Sequence, residues 1–223
     1  MASSLALVIG NKNYSSWSMR PWVLLRQAGI PFEEVRLKFD QDGHPEGIEQ
    51  YSPTGQVPVL LVDGEPVWDS FAICETVVEL FPEKRLWPSD ARARALARSI
   101  CAEMHAGFRN LRNAMPMNIR ASHPGKGMIE AVERDINRVL AVWSDCRSRF
   151  GSGGALLFGQ FTVADAYYAP VVMRFVTYAV SLPPVAREYV EAVCSLSAVA
   201  EWMSAARRET AFVAADEPYA ERK

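Results

Sequence analysis

The hydrophobic pattern of this chain changes at residues 86–90, and this change limits the possible folds more than any other feature. Before it, short apolar or alternating runs are separated by turn residues, which predicts strands. Beyond it, no alternation is convincing and apolar residues recur at helical spacing. A length of 223 residues accommodates two small domains. We therefore predict an α/β domain over residues 1–85, a linker over 86–91 and an all-α, helical domain over 92–223.

The first domain has the pattern β-α-β followed by β-β-α. Residues 5–9 are continuously apolar, which suits a strand buried on both faces, whereas residues 34–39 alternate and predict a strand at a sheet edge. Between them, a helical pattern ends at Gly29. The β-α-β half implies parallel strands joined by a right-handed crossover. Asp63 and Gly64 then lie between two apolar runs, a pattern that is typical of a β-hairpin.

The second domain contains only helical patterns. The predicted helices cover residues 91–104, 130–150, 164–180, 188–193 and 198–207. Thr162 precedes the third of them as an N-cap residue and Asp165 follows three positions later, which is the acidic form of a capping box. We interpret this pair as a folding signal and not as part of a catalytic site.

Composition excludes several classes of function. The chain is 49% hydrophobic and 22% charged, with a formal net charge of -2, as in an ordinary globular protein. This balance gives no electrostatic reason to expect nucleic acid or a membrane as a partner. The four cysteines form no CxxC pair and the three histidines lack metal-ligand spacing, so we expect no metal. The apolar run at the start is too short for a signal peptide, and we expect a cytoplasmic protein.

A hydroxyl-rich turn between the first strand and the first helix carries the strongest chemical signal. Ser15 and Ser16 stand where a helix N-terminus presents free N–H groups and the positive end of its dipole, an environment that favours an anion. A free thiol has a pKa of about 8.5. One charge-assisted hydrogen bond from a hydroxyl, worth roughly 1.5–3 kcal/mol, lowers such a pKa by about one to two pH units. The alternative is that either serine only caps the helix.

Two further segments have features of a peptide-ligand site. A cis Val57–Pro58 bond would turn the backbone of Val57 outward to pair with an extended peptide, and an ordinary trans proline at a strand start is the alternative. Asp69 and Ser70 follow a strand and precede a helix. Ser70 at the helix N-terminus suits a carboxylate and Asp69 suits an ammonium group, so the pair matches the zwitterionic end of an amino acid. The alternative is a capped helix without a ligand.

In this order, the features resemble the cytosolic glutathione transferase family, and the resemblance covers nearly the whole chain. The run from Ser15 to Arg20 is similar to the serine motif of the zeta class. The resemblance implies a thioredoxin-like glutathione-binding domain followed by a helical bundle domain. It also implies that Ser15 stabilises the glutathione thiolate, with Ser16 as a second candidate hydroxyl. The glutathione-binding residues that it implies are Ser15, Trp17, Gln56, Val57, Pro58, Asp69 and Ser70.

The resemblance further implies an electrophile pocket on the helical domain. Its expected residues are Phe108, Arg109, Arg112, Asn113 and Met115. Arg109, Arg112 and Asn113 fall in the segment of the first long helix of that domain, and Phe108 and Met115 would belong to the apolar wall of the pocket. An arginine there would attract an acidic substrate, and a solvated helix face is the alternative. We expect glutathione as co-substrate, a small electrophilic substrate and a homodimer. Conjugation and isomerisation both fit this site, and the alternatives are a non-catalytic binding module and a glutathione-dependent peroxidase.

One departure from the zeta motif affects the expected chemistry. Trp17 stands where that motif has cysteine, and no cysteine lies near this turn. Because mixed-disulfide chemistry needs a cysteine nucleophile, the departure argues against a disulfide reductase, and it puts the zeta isomerase activity in question. Tyr14 is a third candidate hydroxyl, since other classes of the family use a tyrosine.

Overall fold

The computed structural model describes residues 3–220, which form a four-stranded sheet with two helices, followed by six further helices. The strands are β1 (Leu5–Ile9), β2 (Glu33–Arg36), β3 (Val59–Val62) and β4 (Glu65–Val67). The helices are α1 (Ser16–Gln27), α2 (Ser70–Leu80), α3 (Ala91–Ala106), α4 (Arg109–Ala114), α5 (Glu130–Phe150), α6 (Val163–Thr177), α7 (Pro184–Ser195) and α8 (Ser197–Arg208). Short 3₁₀ helices lie at Ile48–Gln50, Pro82–Lys84 and Ala214–Asp216.

The sheet is mixed and its strand order is β2-β1-β3-β4. The pair β1–β2 is parallel, whereas β1–β3 and β3–β4 are antiparallel. Helix α1 connects the parallel pair, as a β-α-β crossover requires. This arrangement confirms the thioredoxin-like fold class and the edge position of β2, and it leaves β1 with partners on both sides.

Strand β2 is shorter than the alternating pattern of residues 34–39 predicts. The N–H of Leu37 still donates to the carbonyl of Ile9 at 2.8 Å, but the chain then folds back on itself. Phe39 forms an isolated antiparallel bridge with Pro45. The last alternating residues therefore belong to a small hairpin-like loop, because their backbone groups pair locally instead of with β1.

Asp63 and Gly64 form the predicted two-residue hairpin between β3 and β4. Val62 and Glu65 face each other across the loop. The φ angles of Asp63 and Gly64 are 51° and 91°, and positive values at both positions match the twist of the flanking strands.

The helical domain contains each of the five predicted helices, with one correction. The residues from Arg109 to Asn113 were expected on the first long helix, but α3 ends at Ala106 and they lie on the separate short helix α4. Phe108 has a left-handed backbone with φ 55°, which is incompatible with a continuous helix. The carbonyl of Glu103 also lies so close to Gly107 that a side chain there would collide with it.

One hydrophobic core extends through both domains. It includes Leu7 and Trp22 from the sheet domain and Trp143 and Tyr167 from the helical domain, all with 0–1% of their surface exposed. Helix α1 packs directly against α6, which is buried on nearly every side. The N-terminal ends of α1 and α2 are therefore held against helical-domain side chains, and this contact positions the candidate site.

The capping box predicted at the start of α6 is present. The Asp165 carboxylate accepts hydrogen bonds from the Thr162 N–H at 2.9 Å, the Thr162 hydroxyl at 3.0 Å and the Leu157 N–H at 3.1 Å. These three donors fix the loop before α6 as well as the first turn of the helix.

Candidate functional site

The turn between β1 and α1 is shaped by its own polar groups. The Asn11 carbonyl accepts a hydrogen bond from the Ser15 N–H at 2.9 Å, and Asn11 Oδ1 accepts one from the Asn13 N–H at 2.9 Å. Such side-chain contacts to nearby backbone favour a tight turn. Ser15 then takes the N-cap position of α1, so that Ser15 and Ser16 lie at the N-terminal end of a 12-residue helix.

The two serine hydroxyls have different partners. Ser15 Oγ makes no capping bond and instead donates to Ser18 Oγ at 2.7 Å. Ser18 Oγ also accepts from the Gly10 N–H at 3.1 Å. Ser16 Oγ accepts a hydrogen bond from Arg174 Nη2 at 3.3 Å, which leaves the proton of Ser16 available to a further acceptor.

A cavity of about 240 Å³ opens beside this turn, between the two domains. The predicted site residues that line it are Ser15, Ser16, Trp17, Gln56, Val57, Arg112 and Asn113. Its volume suits a small ligand group and not a large apolar molecule. The structure thus brings together residues from α1, the segment before β3 and α4.

Two arginines, the buried Arg174 and the half-buried Arg112, give the cavity positive charge. The guanidinium of Arg174 donates to the carbonyls of Met115 at 2.9 Å and Pro170 at 3.2 Å. Burial, together with the neighbouring charges of Arg20 and Arg112, lowers the pKa of Arg174 to about 9. Arg174 therefore remains positively charged at neutral pH, and Arg112 adds a second positive charge from α4.

Asp216 is the acidic residue among the described residues that line the cavity. Burial raises the pKa of Asp216 to about 6, against the opposing effect of Arg174 and with a smaller contribution from the Glu217 carboxylate. With Arg112 and Arg174 charged, the cavity has an excess of positive charge whether or not Asp216 is ionised.

Tyr14 also lines the cavity, but its hydroxyl has partners elsewhere. It donates to the Glu217 carboxylate at 2.6 Å and accepts from Arg120 Nη2 at 2.7 Å. Burial, followed by the hydrogen bond to Glu217, raises the pKa of Tyr14 to about 12. Because Glu217 occupies its proton, Tyr14 is a poorer donor for a thiolate than either serine.

The backbone at Val57 is free to bind a peptide. The Val57–Pro58 bond is cis, with Pro58 buried and Gln56 exposed. No hydrogen bond within residues 3–220 uses the N–H or C=O of Val57. Both groups are therefore available to an extended peptide, and Val57 itself lines the cavity.

Asp69 and Ser70 lie at the N-terminus of α2, outside the set of residues that line the cavity. The Asp69 carboxylate accepts from the Phe71 N–H at 3.2 Å and lies 3.1 Å from His105 Nε2. The hydroxyl of Ser70 is buried and lies 2.9 Å from the Tyr167 hydroxyl, which is 3.1 Å from His105 Nδ1. These side chains form a ring of hydrogen bonds that joins α2 to the helical domain.

Comparison with known proteins identifies the family. The N-terminal domain model of glutathione S-transferases matches residues 14–80, and the C-terminal domain model matches residues 129–210. A probable maleylacetoacetate isomerase from Caenorhabditis elegans is 30% identical over 170 residues, which cover 76% of this chain and 78% of that protein. The chain belongs to the glutathione S-transferase family.

Further similarities agree with this assignment. A maleylacetoacetate isomerase from Rattus norvegicus is 27% identical over 174 residues, 76% of this chain and 78% of that protein. A glutathione transferase homolog from Burkholderia GL BGR1, solved with bound glutathione, has a TM-score of 0.71 at 23% identity and covers 92% of this chain and 100% of its own. At this identity the structural match supports the glutathione S-transferase fold.

Some predicted pocket residues of this glutathione S-transferase lie outside the cavity. Phe108 and Met115 are buried and Arg109 is exposed, and none of the three is among its lining residues. Arg174 is absent from the residues predicted from the sequence, although it is a lone basic residue within an apolar helix, which is a recognisable signal. Asp216 has no comparable signal, because its segment has no helical or strand periodicity.

No cysteine thiol of the described residues lines the cavity of this family member. Cys74, Cys101 and Cys146 are buried and Cys194 is half-buried, and none lines the cavity. Burial raises the pKa of all four thiols, so they keep their protons at neutral pH. Within residues 3–220, no group of three or more His, Cys, Asp or Glu side chains could hold a metal ion. No helix in that range is long and apolar enough to cross a membrane.

Proposed function

We propose that this family member is a zeta-like, serine-type glutathione transferase that adds the thiolate of its co-substrate glutathione to a small acidic electrophile. The observation that carries the proposal is the cavity that Ser15, Ser16, Arg112 and Arg174 line together, in which the Arg174 guanidinium lies 3.3 Å from the Ser16 hydroxyl. A helix N-terminus with a hydroxyl favours a thiolate, and paired arginines favour a carboxylate. Similarity to proteins named maleylacetoacetate isomerase supports an isomerisation.

The contacts of the serines support Ser16 as the thiolate donor. Ser16 accepts from the charged Arg174 guanidinium and keeps its own proton free, so the donor is polarised by the charge behind it. Ser15, the residue that the zeta motif implies, must first break its 2.7 Å bond to Ser18. We expect either hydroxyl, together with the α1 N-terminus, to lower the thiol pKa by about one to two pH units from its free value.

The rest of glutathione has suitable contacts along the same face of the sheet domain. The free N–H and C=O of Val57 fit the main chain of the cysteinyl part. Asp69 fits the ammonium group of the γ-glutamyl end, since the Phe71 N–H and His105 orient its carboxylate and leave its side chain 57% exposed. Ser70 contributes through its position at the N-terminus of α2, because its hydroxyl is bonded to Tyr167.

The proposed reaction is a cis–trans isomerisation of an unsaturated acid. The thiolate sulfur adds to one alkene carbon, and the electron pair of the double bond moves onto the conjugated carbonyl as an enolate. The former double bond is now a single bond, and rotation about it follows. Reversal of the addition expels the thiolate and restores the alkene. The positive field of Arg112 and Arg174 keeps the substrate carboxylate in the cavity and offsets the enolate charge. The same thiolate would give conjugation with an electrophile that carries a leaving group, a reaction of detoxification.

Two alternatives from other classes have separate signatures. A non-catalytic binding module of the same fold would bind glutathione without lowering the thiol pKa, or would not bind it. A glutathione-dependent peroxidase would reduce a peroxide in the presence of glutathione. The absence of a cysteine from the cavity lining counts against its disulfide-exchange form.

Ultraviolet absorbance of the bound thiolate across a pH series tests the proposal. The native protein, Ser15→Ala and Ser16→Ala are compared, together with glutathione-dependent isomerisation of maleylacetoacetate. We expect a lowered thiol pKa that returns towards about 8.5 in Ser16→Ala and moves less in Ser15→Ala. The reverse ranking would assign the thiolate to Ser15. A bound thiol that titrates normally in the native protein would contradict a serine-type transferase.

The domain division and the assembly are part of the same proposal. We place the glutathione-binding domain at residues 1–85, the linker at 86–91 and the helical domain at 92–223, which agrees with the 10 residues between Leu80 and Ala91 that link α2 to α3. We also propose a homodimer. The family resemblance is the reason for this proposal, and Trp68 and Leu80, which flank α2 and are 43% and 38% exposed, offer apolar surface to a second copy.

A further inference from the structure

The C-terminal segment, residues 209–220, follows α8 and contributes Asp216 to the lining of the cavity. It begins with Glu209, whose carboxylate accepts hydrogen bonds from the Lys12 N–H at 2.9 Å and the Asn13 N–H at 3.0 Å. Arg120 donates to the carbonyls of Glu209 and Ala211. The start of the segment is therefore fixed to the same turn that carries the serines.

Contacts on both sides of Asp216 hold it in place. Before it, Val213 is fully buried and the Ala215 N–H donates to the Gln41 carbonyl at 3.4 Å. After it, Glu217 accepts from the Tyr14 hydroxyl. The Tyr219 hydroxyl donates to the Ala114 carbonyl of α4 at 2.7 Å. These contacts fix the backbone on both sides of Asp216 and so keep its side chain at the cavity.

The Asp216 carboxylate has no partner of its own within the described residues. It forms no ion pair within 4.0 Å and no side-chain hydrogen bond, although Arg112 and Arg174 line the same cavity. Arg174 directs its donors to Met115, Pro170 and Ser16 instead. The carboxylate therefore acts on the cavity through its charge and is not neutralised by a contact.

We propose that Asp216 is a specificity-determining residue that competes with the anionic group of the substrate for the positive field of Arg112 and Arg174. This inference rests on the proposed function, in which those arginines hold an acidic electrophile. With Asp216 ionised, an acid enters a cavity with one excess positive charge, and with Asp216 neutral it enters a cavity with two. The residue lies beyond the segment that the family's C-terminal domain model matches, which ends at 210.

The competition makes anion binding depend on pH. Burial raises the pKa of Asp216 to about 6. As the pH rises through this value, Asp216 becomes negatively charged and the net charge of the cavity falls by one. The other charged or titratable groups around it are Arg174 on α6, Arg112 on α4, Tyr14 on the turn and Glu217 on the C-terminal segment. The loop whose Gln41 carbonyl binds the Ala215 N–H adds Asp40, Asp42 and His44, which stay the same in every variant compared below. The pKa values of Arg174 and Tyr14, about 9 and about 12, lie above the range concerned.

Binding of ethane-1,2-disulfonate, followed by isothermal titration calorimetry at pH 5.5 and 7.5, tests this inference. Its two sulfonates stay ionised over the range, and saturating S-methylglutathione fills the glutathione site without a thiol that titrates. The native protein is compared with Asp216→Asn and with Glu191→Gln, which removes an exposed carboxylate from α7. Asp216→Ala serves as a second variant if Asp216→Asn does not fold.

We expect the native protein and Glu191→Gln to bind the disulfonate about tenfold more weakly at pH 7.5 than at pH 5.5, whereas Asp216→Asn binds equally well at both. An unchanged pH dependence in the Asp216 variants, weaker binding by them at both pH values, or no binding by any variant would overturn the inference. The thiolate titration with Ser16→Ala is independent of these outcomes. If that titration fails while the Asp216 effect holds, the cavity is an anion site without transferase chemistry.

Discussion

At the scale of single residues, the position of a hydroxyl matters less than the partner that holds its proton. Tyr14, Ser15 and Ser16 follow one another and all line the cavity. The Tyr14 hydroxyl, however, donates its proton to Glu217, and the Ser15 hydroxyl donates its proton to Ser18. A hydroxyl whose proton is already donated must break that bond before it can stabilise a thiolate. The contacts therefore favour Ser16, whereas the resemblance implies Ser15 first, with Ser16 and Tyr14 as further candidates.

Replacing Tyr14 with phenylalanine tests this separation. We expect the pKa of the bound glutathione thiol to stay unchanged, because the lost hydroxyl proton belongs to Glu217. Stability should fall by about 1–3 kcal/mol, since Glu217 and Arg120 each lose a hydrogen bond. Thiolate absorbance and urea denaturation measure the two effects, with Ser16→Ala as the comparison. A thiol pKa that rises as far in Tyr14→Phe as in Ser16→Ala would make the tyrosine the thiolate donor.

At the scale of elements, carboxylates bind the first turns of α2, α3 and α6, and the one at α6 is fully buried. Asp165 caps α6 inside the core, where burial raises its pKa to about 6. The folded state therefore holds this proton more tightly than the unfolded chain, whose aspartates titrate near pH 3.9. The contribution of protonated Asp165 to the free energy of unfolding is fully present below about pH 4 and is lost as the pH rises through about 6.

Asp165→Asn removes this titration. The native protein has the higher free energy of unfolding. We expect its difference from Asp165→Asn to decrease by on the order of 2–3 kcal/mol between pH 4 and pH 6.5. The variant is less stable over the whole pH range, because the amide NH₂ group is a donor and cannot accept one of the three hydrogen bonds that the carboxylate accepts. Urea denaturation over that pH range measures the difference. Asp90→Asn, which alters an exposed cap of α3, is the matched control. A constant difference would contradict the raised pKa of Asp165.

At the scale of the whole molecule, the two domains share a core and a polar connection. The hydrophobic core runs from β1 through α1 into α6, and the Tyr167 hydroxyl joins Ser70 on α2 to His105 on α3. The γ-glutamyl end of the proposed glutathione site is therefore positioned by the helical domain. Loss of contacts between the domains should weaken glutathione binding even where the sheet itself is intact.

Tyr167→Phe is the corresponding prediction. We expect glutathione to bind several-fold more weakly and stability to fall by about 1–3 kcal/mol, because the buried Ser70 and the half-buried His105 each lose a hydrogen bond. Tyr168→Phe is a close control, since the hydroxyl of that buried tyrosine bonds to the Ile100 carbonyl inside the helical domain. It should lower stability and leave glutathione affinity unchanged. Equal losses of affinity in both variants would show that the effect is general destabilisation.

The sequence predicts what is local in this molecule. Strand runs, helical periods, the Asp63–Gly64 hairpin and the Thr162–Asp165 capping box all depend on residues a few positions apart, and all are present. Contacts between distant residues escape this reasoning: Arg174 reaches Ser16 across 158 positions. The break before α4 also escapes it, because Phe108 adopts a left-handed backbone that its residue type does not favour.

The two edges of the sheet have a consequence for self-association. An exposed edge strand offers unpaired backbone groups to any other chain, which is a common start of aggregation. Edge strand β2 carries exposed Glu33, Glu34 and Arg36, and the opposite edge β4 is three residues long with Pro66 at its centre. Charge blocks strand addition on one side and the missing N–H of proline blocks it on the other. The alternating charged residues that identify β2 as an edge strand thus also protect the protein from intermolecular strand pairing.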